Sequence, residues 1–121
     1  MKILVLDDSK TMLRIISNTL KRIGHNDIVT AEDGLLGLEA YGKDTFDIIL
    51  TDWNMPNMTG LEFVKEIRKQ NTDIPIVMIT TEGERKSVIT ALKAGVNNFI
   101  IKPFTPAVLK GKLADILGEN D

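Results

Sequence analysis

The sequence contains no cysteine and no long hydrophobic run. Without cysteine there is no disulfide framework of the kind that small secreted proteins use. No apolar segment approaches the ~20 residues that a membrane span needs. The first residues, MKILVL, lead directly into charged residues and do not have the pattern of a secretory signal. These absences predict a cytoplasmic protein that does not act on a membrane.

Charge of one sign is also not in excess. Lys and Arg number 15 and Asp and Glu number 17, which gives a formal net charge of -2. Nucleic-acid binding therefore has no electrostatic support at the level of the whole chain. A chain of 121 residues is expected to fold as one domain that buries about two thirds of its unfolded surface. We expect a single domain over residues 1–121, without an output domain, that is monomeric and signals by protein contact.

Four apolar runs in the sequence each stop at a polar side chain. KILVL stops at Asp7 and Asp8, FDIILT at Asp52, IPIVMI at Thr80, and NFII at Lys102. If these runs are parallel strands of one sheet, their carboxyl ends lie side by side and the polar side chains converge on one crevice. Carboxylates packed together repel each other, and a hard cation with oxygen ligands, such as Mg²⁺, relieves that repulsion.

Helical periodicity separates the apolar runs. Thr105 followed by Pro106 is typical of a helix N-cap with proline in the first turn. The periodic segments are residues 9–23, 33–41, 60–69, one centred on 87–93, and one from Thr105 to a stop at Gly118, while residues 28–31 form a weaker strand. Five strand and helix alternations predict an α/β domain, a doubly wound five-stranded parallel sheet with helices on both faces.

Over residues 1 to about 118 the sequence resembles the receiver domains of two-component response regulators. Asp7-Asp8, Asp52, Thr80 and Lys102-Pro103 follow the family's signature in order and spacing. The segments DWNMPNMTG and KPFTP are most similar to single-domain chemotaxis members of the CheY type. The resemblance implies a flavodoxin-like sheet of order 2-1-3-4-5, for which flavodoxin and CheY are themselves the standard examples. Lys102-Pro103 is a candidate cis peptide, since X-Pro bonds tolerate that form.

The resemblance implies a phosphorylation-activated switch. Asp52 accepts a phosphoryl group from a histidine kinase, and Thr80 and Lys102 contact the phosphoryl oxygens. The chain is then a signalling protein that catalyses its own Mg²⁺-dependent phosphorylation and autodephosphorylation, and not an enzyme acting on a separate substrate. The implied Mg²⁺ ligands are direct carboxylates, one water-mediated carboxylate and one backbone carbonyl: Asp8 and Asp52, Asp7, and Asn54.

The resemblance also implies an output surface on the fourth helix, fifth strand and fifth helix. Its switch and output residues are Thr80, Phe99, Lys86 and Lys112. CheY-type proteins usually carry tyrosine where this chain has Phe99. A hydrogen bond from the tyrosine hydroxyl to a partner is therefore lost, while the aromatic ring can still pack as the switch requires. The implied partners are a histidine kinase of the chemotaxis type, the flagellar motor switch protein, and a phosphatase. The alternative is a phosphorelay intermediate that passes its phosphoryl group to a histidine phosphotransfer protein.

Two other functional classes fit the residues less well. A Mg²⁺-dependent phosphatase of the haloacid dehalogenase type places its aspartate nucleophile in a D-x-D motif after strand one, where this chain has adjacent acids. A flavodoxin-like flavin module needs a Ser/Thr/Gly-rich phosphate loop there, and the segment DDSKT repels a phosphate unless a metal is present. Singly, each acid also suits a helix N-terminus or a turn, but the four strand-end positions together favour the switch.

Overall fold

Five strands alternate with five helices in the computed structural model, which describes residues 1–81 and 83–118. The elements are β1 Lys2–Leu6, α1 Lys10–Arg22, β2 Asp27–Ala31, α2 Gly34–Lys43, β3 Ile48–Thr51, α3 Gly60–Gln70, β4 Ile76–Thr80, α4 Arg85–Ala94, β5 Asn98–Ile101 and α5 Pro106–Leu117. Within the described residues no helix combines the length and the apolar character that a membrane span requires.

The strands form one sheet in the order β2-β1-β3-β4-β5, and every neighbouring pair is parallel. Every residue of β3 and β4 is buried, because helices cover both faces of the sheet. The predicted fold class and sheet order are confirmed. The chain leaves β1 toward β2 on one side and returns to β3 on the other, so the switch point lies between β1 and β3. A ligand crevice is expected beyond the carboxyl ends of these two strands.

The core is divided by the sheet into two clusters. Successive side chains of a strand point to opposite faces, so Leu4 and Leu6 of β1 enter one cluster while Ile3 and Val5 enter the other. The first cluster is covered by α2, α3 and α4, and the second by α1 and α5. Both faces of β1 are thus buried, which fixes the positions of the residues that follow it.

Polar side chains cap four of the helices and set where they begin. Ser9, Asp33, Thr59 and Thr105 each accept a hydrogen bond from a backbone N–H in the first turn of α1, α2, α3 and α5. The predicted cap at Thr105 is confirmed. The helix predicted from residue 33 begins one residue later, because Asp33 is its cap in extended conformation.

The apolar residues that recur at spacings of three and four in α1 and the residue after it are Met12, Ile15, Ile16, Leu20 and Ile23, and they predict a buried face that is too wide. The buried face contains Leu13, Ile16 and Leu20, whereas Ile15 is 46% exposed. At 100° per residue, Ile15 lies roughly 130° around the helix from the centre of that face. Its three-residue spacing from Met12 was therefore misleading.

Candidate functional site

The acids that follow β1 and β3 meet beyond the carboxyl edge of the sheet. Leu6 at the end of β1 pairs with Thr51 at the end of β3, so the next residues of both strands are neighbours. One carboxylate oxygen from each of Asp7, Asp8 and Asp52 lies within 4.8 Å of the other two. Asp7 and Asp52 are buried and Asp8 is exposed, so the cluster opens to solvent on one side.

Lys102 supplies a positive charge inside this cluster. Its Nζ donates to Asp7 Oδ2 at 2.7 Å and to Asp52 Oδ2 at 3.0 Å. Burial alone would lower the pKa of Lys102, but the hydrogen bonds to the two carboxylates outweigh burial and the pKa is raised. The ammonium is therefore fully charged at neutral pH. If all three carboxylates are ionised, they and the ammonium leave two negative charges, which a divalent cation would balance.

Burial and hydrogen bonding act in opposite directions on the pKa of the Asp7 carboxyl. It is 1% exposed, and this burial raises its pKa although Lys102 and the backbone N–H of Ser9, at 2.9 Å from Oδ1, act in the opposite direction. The folded protein therefore binds a proton at the Asp7 carboxyl more tightly than the unfolded chain does. Without a metal, keeping this group ionised costs folding free energy.

We expect Asp7→Asn to raise the free energy of unfolding in Mg²⁺-free buffer at neutral pH. Because the folded-state pKa of Asp7 is raised, stability falls as pH rises through that pKa, and a neutral amide avoids the loss. The gain should vanish as pH falls below the unfolded-state pKa, where Asp7 is neutral in both states. Urea unfolding of both proteins between about pH 3 and pH 7 measures this. A gain that persists at the acidic end would contradict the assignment.

Thr80 lies between the acids and Lys102 in the sheet. It ends β4, is fully buried, and its carbonyl accepts a hydrogen bond from the Lys102 N–H at 3.0 Å. The Lys102–Pro103 peptide that follows is cis, the form considered from the sequence. The structure therefore brings together the predicted residues from β1, β3, β4 and β5 at one edge.

Asn54 lies in the loop between β3 and α3, residues 53–59, and is exposed. The loop begins where the Trp53 N–H donates to Asp52 Oδ1 at 2.7 Å. The Trp53 carbonyl accepts from the Gly60 N–H at 2.8 Å, which closes the base of the loop. Asn57, near its tip, has a left-handed backbone with φ 67°. The backbone of Asn54 is thus held within a closed loop beside Asp52.

Gly60 is required by the close approach of α3 to the backbone of Asp52. A Cβ at this position would lie 1.9 Å from the Asp52 carbonyl oxygen, a separation that no real contact allows. The sequence predicted only that a helix starts here. A glycine directly after the cap Thr59 was the one available sign of this contact.

We expect Gly60→Ala to destabilise the protein by about 2 kcal/mol or more, because the methyl group must displace the backbone of Asp52. Gly111→Ala is the matched control, since a Cβ there meets nothing within 4 Å and alanine is the better helix former. That control should stabilise the protein by about 0.5–1 kcal/mol. Urea unfolding at fixed pH measures both. Equal stability of the Gly60→Ala variant and the wild type would show that α3 is not tightly placed.

The predicted output residues lie on α4, β5 and α5. Lys86 is exposed on α4, and Lys112 on α5 is half-buried and donates to Asn98 Oδ1 of β5 at 3.4 Å. Phe99 is half-buried, and its ring packs edge-on against Trp53 with centroids 6.5 Å apart and planes at 62°. This aromatic contact joins β5 to Trp53, the residue after Asp52. The hydrophobic periodicity of the sequence did not predict the contact.

Comparison with known proteins assigns this fold and site to a class. Residues 3–114 match the response regulator receiver domain family, and the chain belongs to that family. The family explains why acids, threonine and lysine stand at the ends of successive parallel strands. It also removes the phosphatase and flavin-module hypotheses.

Relatives with chemotaxis functions specify the class further. A chemotaxis protein CheY homolog of Campylobacter jejuni is 58% identical over 121 residues, covering 98% of this chain and 93% of the relative. Chemotaxis protein CheY1 of Helicobacter pylori strain J99 is 58% identical over 128 positions, covering all of both chains. The high-resolution structure of the chemotaxis response regulator CheY4 of Vibrio cholerae superimposes with a TM-score of 0.89 at 38% identity, over 95% of this chain and 97% of that one. The protein is thus a phosphorylation-activated chemotaxis response regulator, a signalling protein.

Proposed function

We propose that Asp52 is the phosphoryl acceptor of this regulator, that a histidine kinase of the chemotaxis type is the donor, and that Mg²⁺ is the required cofactor. The observation that carries the proposal is the cluster of Asp7, Asp8 and Asp52 with the Lys102 ammonium between two of its carboxylates. Asp52 alone of the three acids follows β3, the middle strand of the sheet, and contacts both Lys102 and the start of the loop that holds Asn54.

The donor set fits Mg²⁺. It consists of hard carboxylate oxygens with room for water on the side of exposed Asp8, and Mg²⁺ prefers one or two carboxylates plus phosphate and water. Asp8 and Asp52 would hold it directly, Asp7 through water, and the Asn54 carbonyl would complete the protein ligands. When bound, the ion neutralises charge on the transferring oxygens. A receiver domain of the sensor kinase PA1611 from Pseudomonas aeruginosa, 27% identical with a TM-score of 0.88 over 97% of each chain, is described with magnesium coordinated in its active site cleft.

The chemistry of this chain is positioning and charge neutralisation. A carboxylate oxygen of Asp52 attacks phosphorus, the bond from phosphorus to the donor nitrogen breaks, and the kinase imidazole leaves. Lys102 already lies 3.0 Å from Asp52 Oδ2, so a small movement places its ammonium on a phosphoryl oxygen. The Thr80 hydroxyl is proposed to donate to a second oxygen. Attack by water on the same phosphorus later breaks its bond to the Asp52 oxygen, releases inorganic phosphate and restores the carboxylate, which is autodephosphorylation.

We propose that the signal leaves through the output surface, defined here as the solvent-facing residues of α4, β5 and α5. Four large apolar side chains on these elements are between 42% and 47% exposed: Ile89, Leu92, Ile101 and Val108. Exposed Lys86 and Lys93, and half-buried Lys112, lie on the same helices. Because the output surface combines exposed apolar side chains with lysines, it is complementary to a partner segment that carries apolar and acidic residues. The flagellar motor switch protein is our proposed partner, and no observation favours the phosphorelay alternative.

The test is to measure how tightly this protein binds the motor switch protein encoded in the same genome, with and without beryllofluoride, which mimics a phosphoryl group on Asp52. We expect at least about tenfold tighter binding with the mimic, which corresponds to ~1.4 kcal/mol of preference for the active state. Thr80→Ala should reduce this enhancement while Asp52 still accepts phosphate. Phe99→Ala should change partner affinity with little effect on Mg²⁺ binding, because Phe99 lies on β5 and not among the proposed ligands.

Two matched variants sharpen the test. Thr80→Ser retains the hydroxyl and should retain the enhancement. Ile15→Ala removes an equally exposed aliphatic side chain from α1, outside the output surface, and should leave partner affinity unchanged. An enhancement that survives in both Thr80→Ala and Phe99→Ala would mean that the signal takes another route.

A further inference from the structure

We propose that Asp33 is a positioning residue for the Mg²⁺ site, acting through Asn57 on the loop that carries Asn54. This proposal rests on the proposed function and adds to it a residue outside the acid cluster. Asp33 lies beyond the carboxyl end of β2, two strands away from Asp52 in the sheet. Its influence on the site therefore has to pass through the loop of residues 53–59.

Both carboxylate oxygens of Asp33 are used. Oδ1 accepts the Leu36 N–H at 2.8 Å and caps α2, and Oδ2 accepts from Asn57 Nδ2, also at 2.8 Å. Asp33 is only 7% exposed. The Leu36 N–H first, and then the Asn57 amide, lower the pKa of Asp33. A charged and nearly buried acid is thus shared between a helix start and a loop tip 24 residues away in sequence.

The tip of the loop rests closely on the start of α2. The Gly34 N–H donates to the Met58 carbonyl at 3.3 Å, and a Cβ on Gly34 would lie 2.6 Å from Met58 Cγ. Asn57 adopts φ 67°, a conformation that costs a non-glycine residue free energy and persists where the surroundings hold it. The Asp33–Asn57 hydrogen bond is a side-chain contact that can hold Asn57 in this conformation.

These contacts place Asn54 between two fixed points. Trp53 is fixed at the base of the loop by Asp52 and Gly60, and Asn57 is fixed at the tip by Asp33. A ligand supplied by a backbone carbonyl is oriented only by the path of the main chain. Mg²⁺ demands near-ideal octahedral geometry, so loosening one end of a short loop should weaken the site even though no ligand is removed.

The experiment removes the Asp33–Asn57 bond from either side while the local backbone is kept. Asp33→Ser retains a good N-cap but does not reach Asn57, and Asn57→Gly retains the left-handed conformation. Asp33→Asn is the matched control: it removes the same charge, caps with its oxygen, and donates from its amide once the Asn57 amide turns over. Isothermal titration with Mg²⁺ and native-state hydrogen exchange of residues 54–58 without metal are the measurements.

We expect Asp33→Ser and Asn57→Gly each to weaken Mg²⁺ binding about tenfold, the loss typical when a supporting partner of a metal ligand is removed. The double variant should bind no more weakly than the weaker single variant, since both remove one interaction. Hydrogen exchange in the loop should be faster in Asp33→Ser and in Asn57→Gly than in the wild type. Asp33→Asn should match the wild type in Mg²⁺ affinity and in hydrogen exchange.

Wild-type Mg²⁺ affinity in Asp33→Ser and Asn57→Gly would overturn this proposal and leave the proposed function intact. A wild-type protein that does not bind Mg²⁺ would overturn the proposed function as well. Equal weakening in Asp33→Asn would assign the effect to charge and also overturn the proposal.

Discussion

An Asp52→Asn variant will take up no phosphoryl group from acetyl phosphate or phosphoramidate in the presence of Mg²⁺, whereas the wild type will take up one. The amide is a poor nucleophile toward phosphorus, and the remaining acids of the cluster are differently placed. Asp7 is buried against Lys102 and the Ser9 N–H, while Asp8 is exposed and is proposed to be occupied by the metal. The measurement is intact-protein mass followed by peptide mapping of the adduct.

Asp73→Asn is the control for this experiment. Asp73 is an exposed carboxylate in the turn before β4, so its removal changes the net charge equally without touching the cluster, and labelling should remain stoichiometric. Stoichiometric labelling of the Asp52→Asn protein would place the acceptor elsewhere and sink the central proposal.

Removing Asp8 should abolish most Mg²⁺ binding. Loss of a supporting residue typically costs 10- to 100-fold in metal affinity, so loss of a direct carboxylate from so sparse a site should cost at least about 100-fold. Because Asp8 is exposed, Asp8→Ala should fold normally. Trp53 is the only tryptophan and adjoins Asp52, so its fluorescence during a Mg²⁺ titration gives the affinity.

Asp73→Ala serves as the matched acid removal and should titrate like the wild type. Wild-type affinity in Asp8→Ala would show that the metal binds elsewhere. Phosphorylation of the wild type in a chelator, with no divalent cation present, would be equally damaging to the proposed role of the cluster.

The position of the site was predictable because of how parallel sheets are built. Apolar runs that stop at polar residues mark strand ends, and all carboxyl ends of a parallel sheet share one edge. That reasoning placed Asp7, Asp8, Asp52, Thr80 and Lys102 together. In the structure the three acids form one cluster, Lys102 donates to two of them, and Thr80 ends the strand between β3 and β5. The order of the strands came from the family resemblance, since apolar pattern alone does not say which strands are neighbours.

Pairing within the site was less predictable. The sequence suggested that a metal must separate the acids, whereas Lys102 already bridges two of them, since its long side chain reaches across β4. The Asp33–Asn57 hydrogen bond joins residues 24 positions apart. In the sequence, Asp33 can be recognised only as an acid at the start of a helix, and nothing local identifies Asn57 as its partner. The exposure of Ile15 likewise depends on which face of α1 meets the sheet.

The edge-on packing of Trp53 and Phe99 makes the single indole a reporter of two separate events. The Trp53 N–H donates to Asp52 Oδ1 and its ring packs against Phe99 of β5, so emission can change when the crevice fills and again when the packing of Phe99 changes. A titration trace with two phases would then resolve the input and the response of the switch within one optical signal. Phe99→Ala should leave only the phase that belongs to the crevice.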